Sequence, residues 1–277
     1  MRANGYLCYN KTRLMTQISI LGCGWLGMPL AKALLKKGFS VKGSTTTPEK
    51  LQVLADANIQ PYQITLGDQA EQETIYNFLN GSELVIINIP PSIMATGSDN
   101  YPGKMQQLIP HIERASITKV LFVSATSVYA DEDKEVSEET PAKPETESGR
   151  QILQAEQVLQ NNPNFKTTVL RLGGLFGEER HPIKYLAGRE NIANPNAPIN
   201  LIHLDDCIGI SLAILDKEAW GDTFNGVMPQ HPTREDYYCG QAKAMGLPLP
   251  KFNHSAPSIG KTVSSKKVEI VLGYNFK

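Results

Sequence analysis

A glycine-rich segment, GCGWLG, constrains the fold of this chain more than any other feature. It follows an apolar run at 17–21 and precedes a stretch whose apolar residues recur with helical spacing until Gly38. In a strand–loop–helix unit of this kind, Gly22 permits a tight turn, Gly24 lets a pyrophosphate approach the backbone, and Gly27 lets the helix pack closely on the strand. The start of the helix adds unpaired N–H groups and a positive dipole end. The segment therefore predicts a dinucleotide phosphate site, with a purely structural role of the glycines as the alternative.

The pattern that follows predicts a parallel sheet. Short β-branched runs alternate with helical stretches as far as residue 177, which is typical of βαβ units. Several of the runs are almost continuously apolar, as strands covered on both faces should be. The predicted strands span 17–21, 40–44, 62–66, 83–89, 119–124 and 167–172, and the helices after the first span 48–57, 71–80, 100–116 and 149–161. We therefore expect an α/β fold with a Rossmann-like doubly wound parallel sheet.

The C-terminal third has a less regular pattern. Residues 178–200 are rich in Pro, Asn and Arg, and a strand and a helix are predicted within 200–215. Another strand is expected at 222–227, and Thr233 opens a further helix. We expect three parts: a disordered extension at 1–14, an NAD(P)-binding Rossmann domain at 15–177, and a small α+β substrate lobe at 178–277 that is intertwined with that domain.

Composition narrows the class of partner. The 27 Lys and Arg residues nearly balance the 28 Asp and Glu residues, so the net charge of -1 gives no electrostatic reason to bind nucleic acid or an anionic membrane. The four cysteines form no CxxC pair, which indicates a reducing compartment and no metal site. No apolar stretch approaches the roughly 20 residues of a membrane helix. We therefore expect a cytoplasmic protein, monomeric or homodimeric, whose partner is a small molecule.

The residues that end the second predicted strand bear on the choice of cofactor. In NAD-specific sites an Asp or Glu, roughly 20 residues beyond the glycines, binds the ribose 2′-hydroxyl. This chain has Ser44, Thr45 and Thr46 there, and Lys50 in the next helix could add positive charge. Hydroxyl and backbone donors without a carboxylate would tolerate a 2′-phosphate. We therefore expect NADP as the cofactor, with NAD as the alternative.

Further strand ends complete the expected cofactor site. Asp68, after the third strand, could accept a hydrogen bond from the adenine amino group, although an ordinary loop aspartate is an equal alternative. Pro90 and Pro91 close the fourth strand and would turn the chain away from the cofactor. The predicted cofactor-binding residues are Gly22, Gly24, Trp25, Leu26, Gly27, Ser44, Thr45, Thr46, Asp68, Ile89, Pro90, Pro91, Ser124 and Leu172.

Three further motifs carry a family resemblance. They are SATSVY at 124–129, RLGGLFG at 171–177 and IHLDD at 202–206. Together with the glycine loop they resemble the extended short-chain dehydrogenase/reductases, the NAD-dependent epimerase/dehydratase family, over about 16–274. The resemblance implies a Rossmann fold, a bound NAD(P), and an oxidoreductase or epimerase-like activity on a nucleotide-sugar-like or other polar small metabolite.

The departures from that family concern its catalytic residues. The family uses a Tyr that transfers a proton, a Lys four residues later that lowers the pKa of the Tyr, and a Ser or Thr that bonds the reacting oxygen. Alignment with its motifs places Ser148 at the tyrosine, Ile152 at the lysine and Ala125 at the hydroxyl residue. The chain is thus similar to the atypical, YeeZ-like branch of the family, which keeps the nucleotide site and lacks the usual acid–base residues.

Other side chains near the expected nicotinamide end could manage a substrate proton. The candidate catalytic residues are Thr126, Tyr129, Ser148 and His203. The imidazole of His203 has the best intrinsic pKa for acid–base work near neutrality. A structural histidine is the alternative for His203, and a core-packing aromatic is the alternative for Tyr129.

The candidate substrate-binding residues are Tyr129, Arg171, Gly173 and Arg180. Arg171 could hold a carboxylate or phosphate of the substrate, with an internal ion pair to Asp205 or Asp206 as the alternative. Besides an enzyme, two other functions remain open. One is a catalytically inactive NADP(H)-binding sensor or partner-docking protein, and the other is a scaffold that binds no dinucleotide.

Overall fold

The computed structural model describes residues 16–67, 71–91 and 100–277. Its elements, in chain order, are β1 (Gln17–Leu21), α1 (Gly27–Lys36), β2 (Ser40–Thr45), α2 (Lys50–Asp56), β3 (Gln60–Gln63), α3 (Gln72–Leu79), β4 (Leu84–Ile87), α4 (Tyr101–Arg114), β5 (Lys119–Ala125), β6 (Glu135–Val136), α5 (Glu147–Gln160), β7 (Lys166–Leu172), β8 (Gly174–Phe176), α6 (Ile183–Leu186), β9 (Leu201–His203), α7 (Leu204–Asp216), β10 (Thr223–Gly226), α8 (Arg234–Ala244), β11 (Thr262–Val263) and α9 (Lys266–Leu272). The predicted extension at 1–14 and Asp68 lie outside the described residues.

Within the described residues, seven strands form one parallel sheet. Their order is β3-β2-β1-β4-β5-β7-β10. Consecutive strands run outward from β1 on one side and from β4 on the other, so the strand order reverses between these two. In open α/β sheets, ligands bind in the crevice at the carboxyl ends of the strands at such a switch point. The Rossmann-like doubly wound fold predicted from the sequence is confirmed.

Two helical layers cover the sheet and bury its apolar strands. On one face, Leu30 and Leu34 of α1 share a core with Ile210 and Ile214 of α7. On the other face, residues of α3, α4 and α5 form a second core, which includes Phe78, Met105, Leu108, Ile112, Ala155 and Leu159. Both faces of the central strands are therefore dry, which explains why the sequence of β4 is an uninterrupted apolar run.

The third strand begins earlier than its apolar pattern predicts. The prediction was 62–66, whereas β3 spans Gln60–Gln63 and pairs with β2 from Lys42↔Gln60 to Thr45↔Gln63. Pro61 lies inside it and cannot donate a ladder hydrogen bond, which is tolerated because β3 is an edge strand. The edge position accounts for the half-polar sequence that made the start of this strand hard to recognise.

The seventh strand lies outside the predicted Rossmann segment. The sequence placed the end of that domain at residue 177, but β10 pairs with β7 over Thr223–Gly226 and extends the main sheet. The remainder interlocks with it as well, since β11 near the C-terminus pairs with β6. A small third core around Ile183, Leu201 and Tyr238 belongs to the lobe itself. The predicted boundary therefore cuts through the sheet, and the lobe is built from α6, α8 and the adjoining loops.

None of the helices in the described ranges combines the length and the apolar character that a membrane span requires.

Candidate functional site

The glycine loop between β1 and α1 has the geometry of a phosphate-binding turn. Gly22 has a φ of +101°, a backbone conformation that residues with a Cβ rarely adopt. A Cβ on Gly27 would lie 2.2 Å from the Gly22 carbonyl oxygen, so only glycine lets the helix start this close to the strand. A Cβ on Gly24 would meet no atom within 4 Å. Gly24 is therefore the exposed point of the loop, while the other two glycines shape it.

Side chains from the neighbouring strands fix this loop. Ser44 at the end of β2 accepts a hydrogen bond from the Gly22 N–H through its Oγ (3.0 Å), and its carbonyl accepts one from the Cys23 N–H (2.8 Å). Asn88, just after β4, donates from Nδ2 to the Gly22 carbonyl (2.9 Å). The sequence placed Ser44 in the cofactor site but missed Asn88, whose position after a buried strand was the available signal. The loop is thus held in its turn by groups on both sides of the switch point.

The start of α1 leaves donors available for an anion. Leu26 precedes the first helical residue, no side chain caps the helix, and the first turn carries no acidic residue. The first N–H groups of a helix have no partner inside it and concentrate the positive end of its dipole. Because Gly24 lies at this end without a side chain, a diphosphate could reach those N–H groups.

Two cavities meet at the loop. The first, which we call the β2 cavity, has a volume of about 500 Å³ and opens at the ends of β2, β3 and β4. Among the described residues, its lining contains no Asp or Glu and includes Lys50 and Lys104. The predicted cofactor residues that line it are Gly22, Gly24, Ser44, Thr45, Thr46, Ile89 and Pro90.

The second, which we call the β5 cavity, has a volume of about 400 Å³ and opens at the ends of β4, β5 and β7. The two cavities share Gly24, Asn88, Ile89, Pro90 and Tyr101. The predicted residues that line the β5 cavity are Gly24, Trp25, Leu26, Ile89, Pro90, Pro91, Ser124, Leu172, Gly173 and Arg180. The two cavities together therefore follow the carboxyl edge of the sheet on both sides of the switch point.

Tyr101 and Ile152 also line the β5 cavity and were not among the predicted site residues. Tyr101 starts α4, and its phenol donates to the Ile89 carbonyl (2.7 Å). Ile152 occupies the position that the family alignment assigns to lysine. An apolar side chain therefore forms that part of the wall.

A buried ion pair lies behind the β5 cavity. Glu156 of α5 receives two hydrogen bonds from the Arg171 guanidinium, from Nε to Oε1 (3.0 Å) and from Nη2 to Oε2 (2.6 Å). Ser124 stands opposite Arg171 in the β5–β7 register and donates from Oγ to Glu156 Oε1 (2.5 Å). Arg171 also donates from Nη1 to the Tyr129 phenol (2.7 Å), which in turn donates to Asn225 Oδ1 (3.0 Å). The pair is thus fully hydrogen-bonded inside the protein, as a buried charge pair requires.

The pKa values of this network follow from burial and from the ion pair. Burial raises the pKa of the Tyr129 phenol, and the nearby Arg171 charge offsets only part of that effect. Burial alone would lower the pKa of Arg171, but the hydrogen bonds and charge of Glu156 raise it above its ordinary value. The guanidinium therefore stays charged and the phenol stays protonated near neutral pH.

The structure settles two of the alternatives left open by the sequence. Tyr129 is buried in the core, with 2% of its surface exposed, and does not line the β5 cavity. Arg171 forms its internal ion pair with Glu156, so the partners named from the sequence, Asp205 and Asp206, are wrong. The reason is register: β7 points Arg171 at α5, whereas both aspartates lie at the start of α7. Burial of Tyr129 and Arg171 removes both from direct contact with a substrate in this conformation.

His203 has a structural role in this conformation, which was the alternative to its predicted catalytic role. It precedes α7, and its Nδ1 accepts a hydrogen bond from the Asp205 N–H (3.2 Å). Its ring packs edge-on against Phe176, with 5.2 Å between the ring centroids. It lines a third cavity of about 780 Å³, on the outer side of Trp25 and α1, and not the β5 cavity. The position of His203 therefore gives no support to its predicted role as a proton donor.

The two remaining catalytic candidates lie near the β5 cavity without lining it. Thr126 is buried directly after β5 and faces a separate cavity toward the lobe. Ser148 is half-buried in the first turn of α5, four residues before Ile152. Residues four apart lie on the same face of a helix. Ser148 therefore lies on the same face of α5 as Ile152, which lines the β5 cavity.

Arg180 reaches the mouth of the β5 cavity from the loop after β8. Its guanidinium lies over the Trp25 ring, with 5.2 Å between its central carbon and the ring centroid. Trp25 in turn packs near Gly177, where an added Cβ would approach the ring to 3.1 Å. Within the described residues, Arg180 makes no salt bridge, so its charge is available at the cavity mouth.

Comparisons with known proteins identify the relatives of this chain. A family model described as NAD(P)H-binding matches residues 22–200. This range includes the glycine loop and the strand ends that line the β2 and β5 cavities. The protein YeeZ of Escherichia coli (strain K12) is 32% identical over 265 residues, which cover 95% of this chain and 96% of YeeZ. The match to YeeZ therefore extends through the lobe.

Solved structures share the fold at lower identity. A short-chain dehydrogenase/reductase superfamily protein from Agrobacterium tumefaciens with bound NAD has a TM-score of 0.79 at 17% identity and covers 94% of this chain and 92% of its own. UDP-glucuronic acid 4-epimerase from Bacillus cereus, in complex with NAD, has a TM-score of 0.78 at 19% identity and covers 95% and 94%. The family model, which covers more than half of the chain, and the match to YeeZ over nearly the full length of both chains show that this chain belongs to the NAD(P)H-binding family and is a relative of YeeZ.

Proposed function

We propose that this protein is an NADP(H)-dependent oxidoreductase or epimerase-like enzyme that acts on a polar small metabolite without the family's Tyr/Lys pair. The observation that carries the proposal is the pair of cavities that meet at Gly24. A dinucleotide laid across this point would place its diphosphate at the start of α1, its adenosine half in the β2 cavity and its nicotinamide in the β5 cavity.

The β2 cavity supports NADP over NAD. Its described lining offers the hydroxyls of Thr45, Thr46 and Thr47 and the ammonium of Lys50, and no carboxylate. A carboxylate at this position would bind a ribose 2′-hydroxyl and repel a 2′-phosphate. The donor set of the β2 cavity therefore fits the additional phosphate of NADP.

In the β5 cavity, Ser124 would orient the reactants by accepting hydrogen bonds. Its hydroxyl proton is directed to Glu156 Oε1, which accepts the hydrogen bond. Both oxygens of Glu156 also accept hydrogen bonds from the Arg171 guanidinium. The remaining lone pairs of Ser124 can therefore receive an N–H or O–H of a ligand in the cavity.

The proton on the reacting oxygen needs a donor other than the usual tyrosine. The bound cofactor would supply or take up the hydride. Among the described residues that line the β5 cavity there is no His, Lys, Asp or Glu. We propose that Ser148, at the aligned tyrosine position, hydrogen-bonds the substrate oxygen, and that Arg180 at the cavity mouth stabilises negative charge there.

Oxidation of NADPH in the presence of carbonyl compounds tests this proposal. The panel should contain nucleotide-sugar and smaller polar carbonyl compounds, because the structurally similar 4-epimerase acts on UDP-glucuronic acid. We expect turnover with at least one compound and its loss, by about 10-fold or more, in Arg180→Gln. If the wild-type protein oxidises NADPH with none of the compounds in the panel, the proposed enzymatic function is contradicted.

A second candidate, a catalytically inactive NADP(H) sensor, is favoured by Ile152. An apolar residue replaces the expected ammonium in the wall of a cavity whose described lining contains no His, Lys, Asp or Glu. A sensor would bind one redox form of the dinucleotide more tightly and show no turnover. The double variant Ser148→Tyr, Ile152→Lys discriminates further, since new reductase activity would show that only the acid–base pair was missing.

A further inference from the structure

A separate cavity lies between the end of β5 and the lobe. This lobe cavity has a volume of about 340 Å³. Three charged side chains line it within the described residues: Arg234 at the start of α8, Lys261 before β11, and Asp131 in the loop after β5. None of these residues belongs to the cofactor site, and none was singled out from the sequence.

Arg234 has a donor that the protein leaves unused. Its Nε is buried and has no hydrogen-bond acceptor among the described residues. The neighbouring acidic side chains are engaged elsewhere, since Asp236 Oδ2 accepts from Thr233 (2.7 Å) and Glu235 lies 3.2 Å from His254. A buried donor without a partner is costly, and natural structures rarely leave one unpaired. The planar guanidinium carries several N–H donors and can bind two oxygens of one carboxylate or phosphate.

Lys261, in contrast, is already paired. Its Nζ donates to the Tyr129 carbonyl (2.9 Å) and to Asp131 Oδ1 (2.7 Å). The charges of Lys261 and Asp131 therefore offset each other, and the guanidinium of Arg234 remains as one net positive charge in the lining. This charge balance favours an anionic ligand group.

The lobe cavity adjoins the β5 cavity along two walls. Ala125 lines the β5 cavity, and the next residue, Thr126, lines the lobe cavity. On the opposite side Gly173 lines the β5 cavity, and a Cβ on it would lie 2.6 Å from the carbonyl oxygen of Asn200, which lines the lobe cavity. The two cavities are therefore neighbours at the carboxyl end of β5, and no described residue lines both of them.

We propose that the lobe cavity binds a small molecule that carries an anionic oxygen group, a carboxylate or a phosphate, through the guanidinium of Arg234. This inference rests on the lining of the lobe cavity and goes beyond the proposed function, which concerns the two cavities at the glycine loop.

Anion binding to the full-length protein tests the site. Inorganic phosphate and acetate are titrated separately at constant ionic strength, with chloride as the balancing ion, and the melting temperature is followed. Saturating NADP⁺ keeps the probes away from the glycine loop, and its own binding is measured beforehand. We expect a saturable rise with at least one probe, and the more effective probe indicates whether the acidic group is a carboxylate or a phosphate.

Variants of one arginine locate the effect. Arg234→Gln should weaken the binding of the effective probe by about 10-fold or more, and Arg234→Lys should recover only part of it, because an ammonium lacks the planar fork. Arg189→Gln removes an exposed lobe arginine and should bind the probe as the wild type does. NADP⁺ affinity that is unchanged in Arg234→Gln would show that the variant is folded.

Two results would overturn the inference. One is the absence of a saturable effect of either probe on the wild type beyond that of chloride, and the other is equal probe affinity in Arg234→Gln and wild type. Failure of NADP⁺ to bind would count against the proposed function instead, and the comparison of the arginine variants would still decide the anion site.

Discussion

The two ends of the proposed cofactor crevice are built differently. At the β1–β2 end, recognition rests on backbone: a positive-φ turn at Gly22, an open Gly24, and the uncapped start of α1. At the β5–β7 end, it rests on side chains that are held from behind by the buried Glu156–Arg171 pair.

This difference determines which substitutions each end of the crevice tolerates. A backbone site tolerates few substitutions, because its shape depends on residues without a Cβ. A side-chain site can exchange its reactive groups while its supporting ion pair stays in place, as Ile152 at the aligned lysine position illustrates. The scaffold and the chemistry of such a protein are therefore separable, and each end can be disrupted without the other.

The largest expected effect on the free energy of unfolding comes from breaking the buried Glu156–Arg171 pair behind the β5–β7 end. Glu156→Ala would leave the Arg171 guanidinium, 7% exposed, without its partner, at a cost of about 3–5 kcal/mol in the free energy of unfolding. Denaturant titration measures this loss. Glu147→Ala, which breaks the exposed pair with Arg150 on the same helix, is the control and should leave the unfolding midpoint unchanged. A loss below about 1 kcal/mol in Glu156→Ala would mean that the network is not structural.

The next effect concerns the close approach at the β1–β2 end. Gly27→Ala places a methyl group against the Gly22 carbonyl and should lower the free energy of unfolding by about 1–3 kcal/mol. Gly24→Ala introduces the same methyl group into open space and should leave it within about 0.5 kcal/mol. Equal stability of the two variants in denaturant would show that the helix does not start as close to the strand as described.

A larger side chain at the open glycine separates binding from folding. Gly24→Val should retain the fold and weaken NADP⁺ binding by about 10- to 100-fold, since the branched side chain occupies the place of the diphosphate. Calorimetry gives the affinity, and denaturant titration of the same sample gives the stability. Unchanged affinity would place the phosphate site elsewhere.

The smallest expected effect is on the choice between cofactors. Lys50→Ala should weaken NADP⁺ binding by about two- to fivefold and leave NAD⁺ binding unchanged, because an exposed charge contributes little to an ion pair. The effect should shrink with added salt. An equal loss for both dinucleotides would show that Lys50 does not contact the 2′-phosphate.

The backbone end could be predicted from the sequence to a large extent. The bounds of β1, the turn at Gly22 and the close approach at Gly27 depend on local conformation, which a short segment determines by itself. Asn88 was missed because its hydrogen bond to Gly22 crosses from β4 to the loop, and no local pattern encodes that contact.

The side-chain end was harder to predict for the same reason. Alternation along β5 and β7 shows which residues share a face, but the register that sets Ser124 opposite Arg171 is a property of the assembled sheet. The sequence therefore named Arg171 correctly as a candidate for an ion pair and gave it the wrong partners. The seventh strand was likewise recognised as a strand and assigned to the lobe, because its pairing with β7 joins residues more than 50 positions apart.

The most direct test of the central claim is a calorimetric titration of the full-length protein with NADP⁺ and NAD⁺. The account predicts one dinucleotide per chain, a dissociation constant well below the millimolar range, and tighter binding of NADP⁺. If neither dinucleotide binds below the millimolar range, the cavities that meet at Gly24 are not a cofactor site and the proposed function fails.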